Sequence, residues 1–205
     1  MKKFISLLFL ALFITSGIGL AQSLAVEEQE QIDGLVNRFM KSSHVPGMAV
    51  SVAKGGRLVF SKGYGWADME LQVPVNPSQT KFRIASISKS LTADAIMQLV
   101  EAGKLDLDAT VQTYVPTFPE KQWPISTRMI AGHLGGIRHY RDNEFLSTKH
   151  YPNVSEGLNI FQNDSLIYEP GTKYRYSSYG FNLVSAVIEG AAGVDFLYFY
   201  AIKCI

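Results

Sequence analysis

Serine and lysine side chains that stand three residues apart are the first candidates for chemistry in this sequence. A serine hydroxyl is a weak nucleophile until a nearby base takes its proton. A lysine amine can be that base where burial or nearby cations favour its neutral form. Positions i and i+3 share one face of a helix, whereas on a strand they point to opposite faces. This S-x-x-K spacing occurs at Ser51–Lys54 and at Ser86–Lys89.

The predicted secondary structure separates these two pairs. Ser51 and Lys54 fall on a predicted strand, so their side chains should not meet. Ser86 and Lys89 open a predicted helix over 86–102, where they can share a proton, and a helix N-terminus favours negative charge developing there. The alternative for Ser86 is an ordinary serine N-cap. The sequence therefore favours Ser86 over Ser51 as the candidate nucleophile and Lys89 as its proton-handling partner.

Before this helix, the sequence predicts one helix and a hairpin. Apolar residues at helical spacing predict a helix over 26–42, and Pro46-Gly47 should end it. Two apolar runs, 48–54 and 57–64, flank Gly55-Gly56, which is a hairpin signal.

Gly103 should end the predicted helix over 86–102. The segment 104–170 should form a mostly irregular insertion with a short helix near 127–133. Beyond it, 173–176 is predicted to be extended and 180–192 to be a last apolar helix. This order predicts a mixed sheet with helices packed on it, plus a helical insertion.

The composition predicts a globular protein, and the N-terminal sequence predicts that it is exported. The 205 residues are 47% apolar, enough for one domain with a real core. A basic start at Lys2 and Lys3, an apolar run over 4–12 and a small-x-small site ending at Ala21 predict a signal peptide at 1–21, with an uncleaved membrane anchor as the alternative. Cleavage after Ala21 implies a periplasmic or secreted protein. Cys204, as the single cysteine, can form no internal disulfide.

The charge pattern limits the partners. Without Lys2 and Lys3, 17 basic side chains face 18 acidic ones, and no basic stripe is present, which argues against nucleic acid. No later apolar run is long enough to span a bilayer. The expected partner is therefore a small-molecule or peptide substrate, and the oligomeric state stays open.

Five segments in order resemble one known family. FRIASISKSLTA at 82–93 resembles the nucleophile motif of the serine β-lactamase and penicillin-binding-protein superfamily, best in its class C-like branch. The Gly-Ile-Arg-His-Tyr string at 136–140 is especially similar to the mitochondrial serine β-lactamase-like branch, a serine peptidase group. Ordered motifs are a stronger signal than any one alone. The other four segments are VPGMAV at 45–50, GYGWAD at 63–68, HLGGIRHY at 133–140 and PGTKYRYSSYGF at 170–181.

The resemblance implies a fold and a site. The fold is α+β, an α/β/α sandwich of β-lactamase/transpeptidase type, with an antiparallel sheet flanked by helices; residues 22–205 would be a partial domain with the helical insertion at about 104–170. In the family's Y-x-N motif the tyrosine acts as general base or proton shuttle, and Tyr176 matches it. Ser178 stands where asparagine is usual and would contact substrate. The alternative for Tyr176 is a packed aromatic side chain.

The family's third motif, K-T-G or H-x-G on a late strand that helps to form the oxyanion hole, is absent. His133-Leu134-Gly135 matches its letters but precedes the second motif, so we expect it to be a decoy. The segment 196–205 departs from the family's usual continuation. The chain is therefore expected to be C-terminally truncated, with the late strands missing, as after a frameshift.

Other candidate sites are weaker. The four histidines lack metal-site spacing, and His133 and His139 are expected to form loop hydrogen bonds rather than to bind metal. No metal or organic cofactor is expected. The leading hypothesis is a serine hydrolase that acts on a peptide, a D-amino-acid peptide, an ester or a β-lactam. The alternative is a non-catalytic relic or a fragment that binds peptidoglycan-like ligands.

Overall fold

The computed structural model describes residues 23–203, so the predicted signal peptide at 1–21 and Cys204 lie outside the described residues. The signal peptide therefore stays a prediction. The chain divides into two compact units between Arg83 and Ile84. Within the described residues, the first unit holds one long helix and a small sheet, and the second is helical.

The first unit is a helix followed by a three-stranded antiparallel sheet of order β1-β2-β3. The Glu28 side chain accepts the Ala25 backbone N–H at 2.8 Å, which satisfies one free donor at the start of the helix. The helix ends where His44 adopts a left-handed conformation with φ 52°. The elements are α1 (Val26–Ser43), β1 (Gly47–Lys54), β2 (Arg57–Asp68) and β3 (Val73–Pro74).

The hairpin of this unit turns at the glycine pair that the sequence indicated. Gly55 and Gly56 have φ of 58° and 73°, the left-handed values that a tight two-residue turn needs. The buried core of the unit comprises Val36 from α1 and Phe60 and Tyr64 from β2. Helix α1 therefore packs Val36, with Ile32 and Met40 beside it, against apolar side chains of the sheet.

The second unit is built around helix α5, which contacts the other four helices of this unit among the described residues. Four α5 side chains, Leu183, Val184, Val187 and Ile188, have no solvent exposure. Burying each contributes about 1.5–3 kcal/mol relative to an exposed side chain. The helices are α2 (Ser88–Glu101), α3 (Thr127–Ala131), α4 (Val154–Gly157), α5 (Ser178–Ala192) and α6 (Phe196–Lys203).

The segment 104–170 of this unit contains α3, α4 and three short 3-10 helices joined by irregular chain. Ser126 caps α3 by accepting the Met129 N–H at 3.4 Å. The 3-10 helices are Val111–Thr113, Asp142–Leu146 and Leu158–Ile160.

One local prediction is wrong, and one segment without a predicted element is helical. The segment 173–176 belongs to no strand; it is held by a hydrogen bond from Arg175 N to His133 O at 2.9 Å. The tail that the sequence left unassigned forms α6, because Phe199 packs into the core at 7% exposure.

Candidate active site

Ser86 lies in the 3-10 helix Ala85–Ile87, immediately before α2. The sequence placed it at the first position of the helix 86–102, and the regular α-helix begins two residues later. Ala85 has a φ of 45°, a left-handed conformation that costs energy in a non-glycine residue. The Ser88 N–H donates to the carbonyls of Ala85 and Ser86, which ties this turn to the helix.

The Ser86 side chain does not cap α2. Ile87 occupies the N-cap position, and no side chain there accepts a helix N–H. The Ser86 hydroxyl instead contacts two other polar side chains, so the N-cap alternative is wrong.

Ser86, Lys89 and Tyr176 come together although Tyr176 is 90 residues away in the chain. The Ser86 Oγ lies 2.6 Å from the Tyr176 Oη, and either atom can be the donor. The Lys89 Nζ donates to the Ser86 Oγ at 3.2 Å. These distances are within the reach that proton transfer requires.

The same lysine also contacts the fourth predicted residue. Its Nζ donates to the Ser178 Oγ at 3.4 Å and lies 4.9 Å from the Tyr176 ring centroid and 5.6 Å from that of Phe181. Hydrogen bonds from Lys89 and then from Ser86 lower the pKa of Tyr176 below its ordinary value, because they stabilise the tyrosinate. Tyr176 is therefore a hydrogen-bonded polar group rather than only a packed aromatic ring.

The start of helix α5 positions the second pair of site residues. Ser177 is the N-cap: its Oγ accepts the Gly180 N–H at 2.9 Å and donates to the Arg138 carbonyl at 2.7 Å. Tyr176 and Ser178 flank this buried cap on either side in the sequence. Their side chains are thus presented from a fixed helix start.

Two histidines lie behind this segment and form hydrogen bonds, as expected from the sequence. The His133 Nδ1 accepts the Ser177 N–H, and the His139 Nδ1 accepts the Ser178 N–H, each at 3.2 Å. The His133 ring lies against the Tyr176 ring with centroids 4.4 Å apart. His133 thus supports the tyrosine from behind.

A buried arginine braces the loop that carries His139, and no local sequence pattern predicts its partners. Arg138 is 7% exposed and forms ion pairs with Glu144 at 2.7 Å and with Asp164 at 2.5 Å. Tyr179 donates to the same Glu144 carboxylate at 2.9 Å. Hydrogen bonds from Arg138 lower the pKa of Glu144 to about 2. The arginine in the Gly-Ile-Arg-His-Tyr string was the available signal, but its partners are set by tertiary structure.

A cavity of about 520 Å³ opens beside these residues. Ser86, Lys89, Tyr176 and Ser178 line it, together with several aromatic side chains. A small acyl compound would therefore have room next to the Ser86 hydroxyl. The aromatic lining consists of Tyr140, Phe145, Phe181 and Phe196.

The other S-x-x-K spacings form no comparable group. Ser51 lies on β1, and its Oγ contacts the Ser61 Oγ on β2 at 3.0 Å. Ser78 and Lys81 are a third S-x-x-K match in the sequence, besides the two considered above. The Ser78 hydroxyl donates to Asn76 at 2.8 Å within a turn. The S-x-x-K letters therefore mark a site only where the helical turn brings both side chains to a shared partner.

The sequence profile described as Beta-lactamase matches residues 32–201. The chain belongs to this family. It is 33% identical to the human mitochondrial serine beta-lactamase-like protein LACTB over 232 aligned residues, which cover 80% of this chain and 42% of that protein. The chain thus spans less than half the length of this relative.

Solved structures with a similar fold include EstCE1 and FmtA. EstCE1, described as a hydrolase with promiscuous acyltransferase activity, superposes with a TM-score of 0.72 and 26% identity over 85% of this chain and 49% of its own. FmtA from Staphylococcus aureus superposes with a TM-score of 0.71 and 25% identity, over 90% of this chain and 50% of its own. These likenesses confirm the predicted α+β fold of β-lactamase/transpeptidase type.

Two further features bear on ligands and membranes. Between residues 23 and 203, no group of three or more His, Cys, Asp or Glu side chains is placed to hold a metal ion. In the same range, no single helix is long and apolar enough to cross a membrane, and α5 and α6 reach that composition only as a pair with a 75° bend between them.

Proposed function

We propose that this chain carries the acylation site of a serine hydrolase, with the Ser86 Oγ as nucleophile. The observation that carries the proposal is the 2.6 Å contact between the Ser86 and Tyr176 hydroxyls, with the Lys89 Nζ 3.2 Å from the same serine oxygen. A nucleophile needs a base within hydrogen-bond reach, and this geometry supplies one.

The proposed acylation step follows from these contacts. The Ser86 Oγ forms a bond to the carbonyl carbon of an amide or ester while its proton passes to Tyr176, with the Lys89 cation beside both oxygens. The same proton then goes to the departing amine or alcohol as its bond to the carbonyl carbon breaks. A water molecule then attacks the acyl carbon and gives one proton to Tyr176. Tyr176 passes this proton to the Ser86 Oγ as the acyl bond breaks, which releases the carboxylic acid and restores the serine hydroxyl.

The candidate substrates, in the order in which we expect them, are a peptide, a D-amino-acid peptide, an ester and a β-lactam. Ser178 would contact the substrate beside Lys89, because its hydroxyl lines the cavity and lies 3.4 Å from the Lys89 Nζ. The serine side chain is shorter than the asparagine usual at this position, and its hydroxyl offers fewer hydrogen bonds than an amide. We therefore rank β-lactam turnover last.

Covalent labelling tests the proposal directly. The protein is incubated with a fluorescent penicillin and with a small chromogenic ester, and the labelled peptide is located by mass spectrometry. We expect an adduct on Ser86 and its loss in Ser86→Ala, whereas Ser51→Ala serves as the matched control and keeps the label. Labelling that persists in Ser86→Ala contradicts the proposal. Noncovalent binding of a peptidoglycan-like ligand without any Ser86 adduct supports the non-catalytic alternative.

A further inference from the structure

The backbone that carries Tyr176 and Ser178 is held from behind by two imidazole rings. The Ser177 N–H donates to the His133 Nδ1 and the Ser178 N–H donates to the His139 Nδ1, both at 3.2 Å. Two consecutive N–H groups at the start of α5 therefore have side-chain acceptors, and Ser177 itself is only 4% exposed.

These contacts specify the protonation state of both rings. A neutral imidazole carries its proton on one nitrogen and accepts a hydrogen bond at the other. Because Nδ1 is the acceptor in both cases, both rings must be in the neutral Nε2–H form. An added proton on Nδ1 would point one N–H group at another and break the contact.

The rings also confine the Tyr176 side chain. The His133 ring is tilted against it at 4.4 Å between centroids, and the His139 ring meets it edge-on at 5.6 Å. The Tyr176 ring is thus contacted by both imidazoles while its hydroxyl reaches Ser86.

We propose that His133 and His139 are positioning residues, which fix the Tyr176 and Ser178 side chains against Ser86 and Lys89 by accepting backbone hydrogen bonds at Nδ1 in the neutral Nε2–H form. The catalytic consequence rests on the proposed function, whereas the tautomer does not.

The groups that face the two rings favour this state. Lys89 on α2 faces both histidines, Arg175 faces His139, and the histidines face each other. Burial, and then the charge of Lys89, lower the pKa of each histidine below its ordinary value. Acidification should therefore disrupt the site only below the ordinary range of histidine titration. The titratable tyrosines in ring contact are Tyr174 and Tyr176 at His133, and Tyr140 and Tyr176 at His139.

The first test measures the tautomers in the wild-type protein at neutral pH. The ¹⁵N chemical shifts of the imidazole nitrogens distinguish the Nε2–H form, the Nδ1–H form and the imidazolium. We expect the Nε2–H form at both His133 and His139. An Nδ1–H form or an imidazolium at either position overturns the proposal, whatever the activity.

The second test compares substitutions that keep or remove the acceptor. An asparagine side chain can place its oxygen near the position of Nδ1 and does not titrate, whereas leucine offers no acceptor. We expect His133→Leu and His139→Leu to reduce the rate of Ser86 acylation by the small ester by about tenfold to a hundredfold. The Asn variants should retain most of that rate, and His150→Leu, at an exposed loop position, should match the wild type.

The pH profile and the asparagine variants separate positioning from bulk packing. The acid-side decline in acylation should move to lower pH in the His133→Asn/His139→Asn double variant. Equal losses in the Asn and Leu variants, or an unchanged acid-side decline in the double variant, overturn the proposal. Nε2–H tautomers in a protein that shows no Ser86 adduct support the positioning role while refuting the proposed function.

Discussion

Replacing Glu144 by glutamine should destabilise the helical unit by about 2–4 kcal/mol, because its carboxylate balances the buried Arg138 guanidinium. That carboxylate accepts two hydrogen bonds from Arg138, at 2.7 and 3.0 Å, one from the Tyr179 hydroxyl at 2.9 Å and one from the Arg141 N–H at 2.7 Å. Glutamine keeps the shape, but its NH₂ group replaces one acceptor and faces a donor.

The magnitude follows from what remains after the substitution. A hydrogen bond to a charged group contributes about 1.5–3 kcal/mol, and breaking a buried ion pair costs about 3–5 kcal/mol. Asp164 still pairs with Arg138 at 2.5 Å, so the guanidinium keeps one counter-charge. The expected loss therefore lies below the full cost of an unpaired buried charge.

The pH dependence gives an independent estimate of the same interaction. The pKa of Glu144 is lowered from 4.5 to about 2 by hydrogen bonds from Arg138. A lowered carboxyl pKa contributes stability that is present above the unfolded pKa and is lost as pH falls towards the folded one. The difference in unfolding free energy between wild type and Glu144→Gln should thus shrink by about 3 kcal/mol between pH 5 and pH 2.

Tryptophan fluorescence during urea unfolding measures the unfolding free energy of the helical unit. Trp66 lies in the first unit and Trp123 in the second, so a Trp66→Phe background reports the helical unit alone. The matched control is Glu101→Gln, at an exposed position on α2, which should leave the unfolding free energy within about 0.5 kcal/mol. The reasoning would be refuted if Glu144→Gln lowered the unfolding free energy by no more than the control does. It would also be refuted if the difference in unfolding free energy between wild type and Glu144→Gln did not change with pH.

Two shorter predictions concern the site and a turn behind it. Lys89→Met should raise the pKa of Tyr176 back towards its ordinary value, because the stabilising hydrogen bond and charge are lost. Ultraviolet titration of tyrosinate, with Tyr176→Phe as the reference, measures this pKa. An unchanged pKa contradicts the role of Lys89 in stabilising the tyrosinate. Gly136→Ala should destabilise more than Gly193→Ala: both have φ near 70°, but only at Gly136 would the new Cβ meet a carbonyl, Tyr168 O at 2.5 Å. Thermal unfolding compares the two, and equal shifts in Tm would argue against a steric cause.

The elements that the sequence predicted are those with a local signal. The predicted helix over 26–42 and strand over 48–54 correspond to α1 (Val26–Ser43) and β1 (Gly47–Lys54). Their periodic apolar residues and the Gly55-Gly56 turn are local features, and tertiary packing agrees with them. The three-residue spacing of Ser86 and Lys89, together with the predicted helical turn, is likewise a local feature that brings the two side chains together.

The features that the sequence did not predict depend on contacts between distant residues. The apolar sequence of α6 has no clear helical period, and Phe199 is buried only because the α5 core is present. Ser86 lies in a 3-10 turn rather than in α2. The contact of its hydroxyl with Tyr176 was expected from the family resemblance alone, because no local pattern encodes it. Arg138 finds Glu144 and Asp164 through the course of the loops.

The surroundings of Lys89 favour Tyr176, rather than the lysine, as the group that takes the proton from Ser86. Within residues 23–203, Lys89 forms no ion pair with a carboxylate, and its Nζ contacts hydroxyl oxygens and aromatic rings instead. A cation in such surroundings stabilises negative charge on the nearest ionisable oxygen, which is consistent with the lowered pKa of Tyr176. The 2.6 Å contact between the tyrosine and serine oxygens is also shorter than the 3.2 Å contact from the lysine. Geometry and charge thus favour Lys89 as the cation that stabilises the tyrosinate, and Tyr176 as the base.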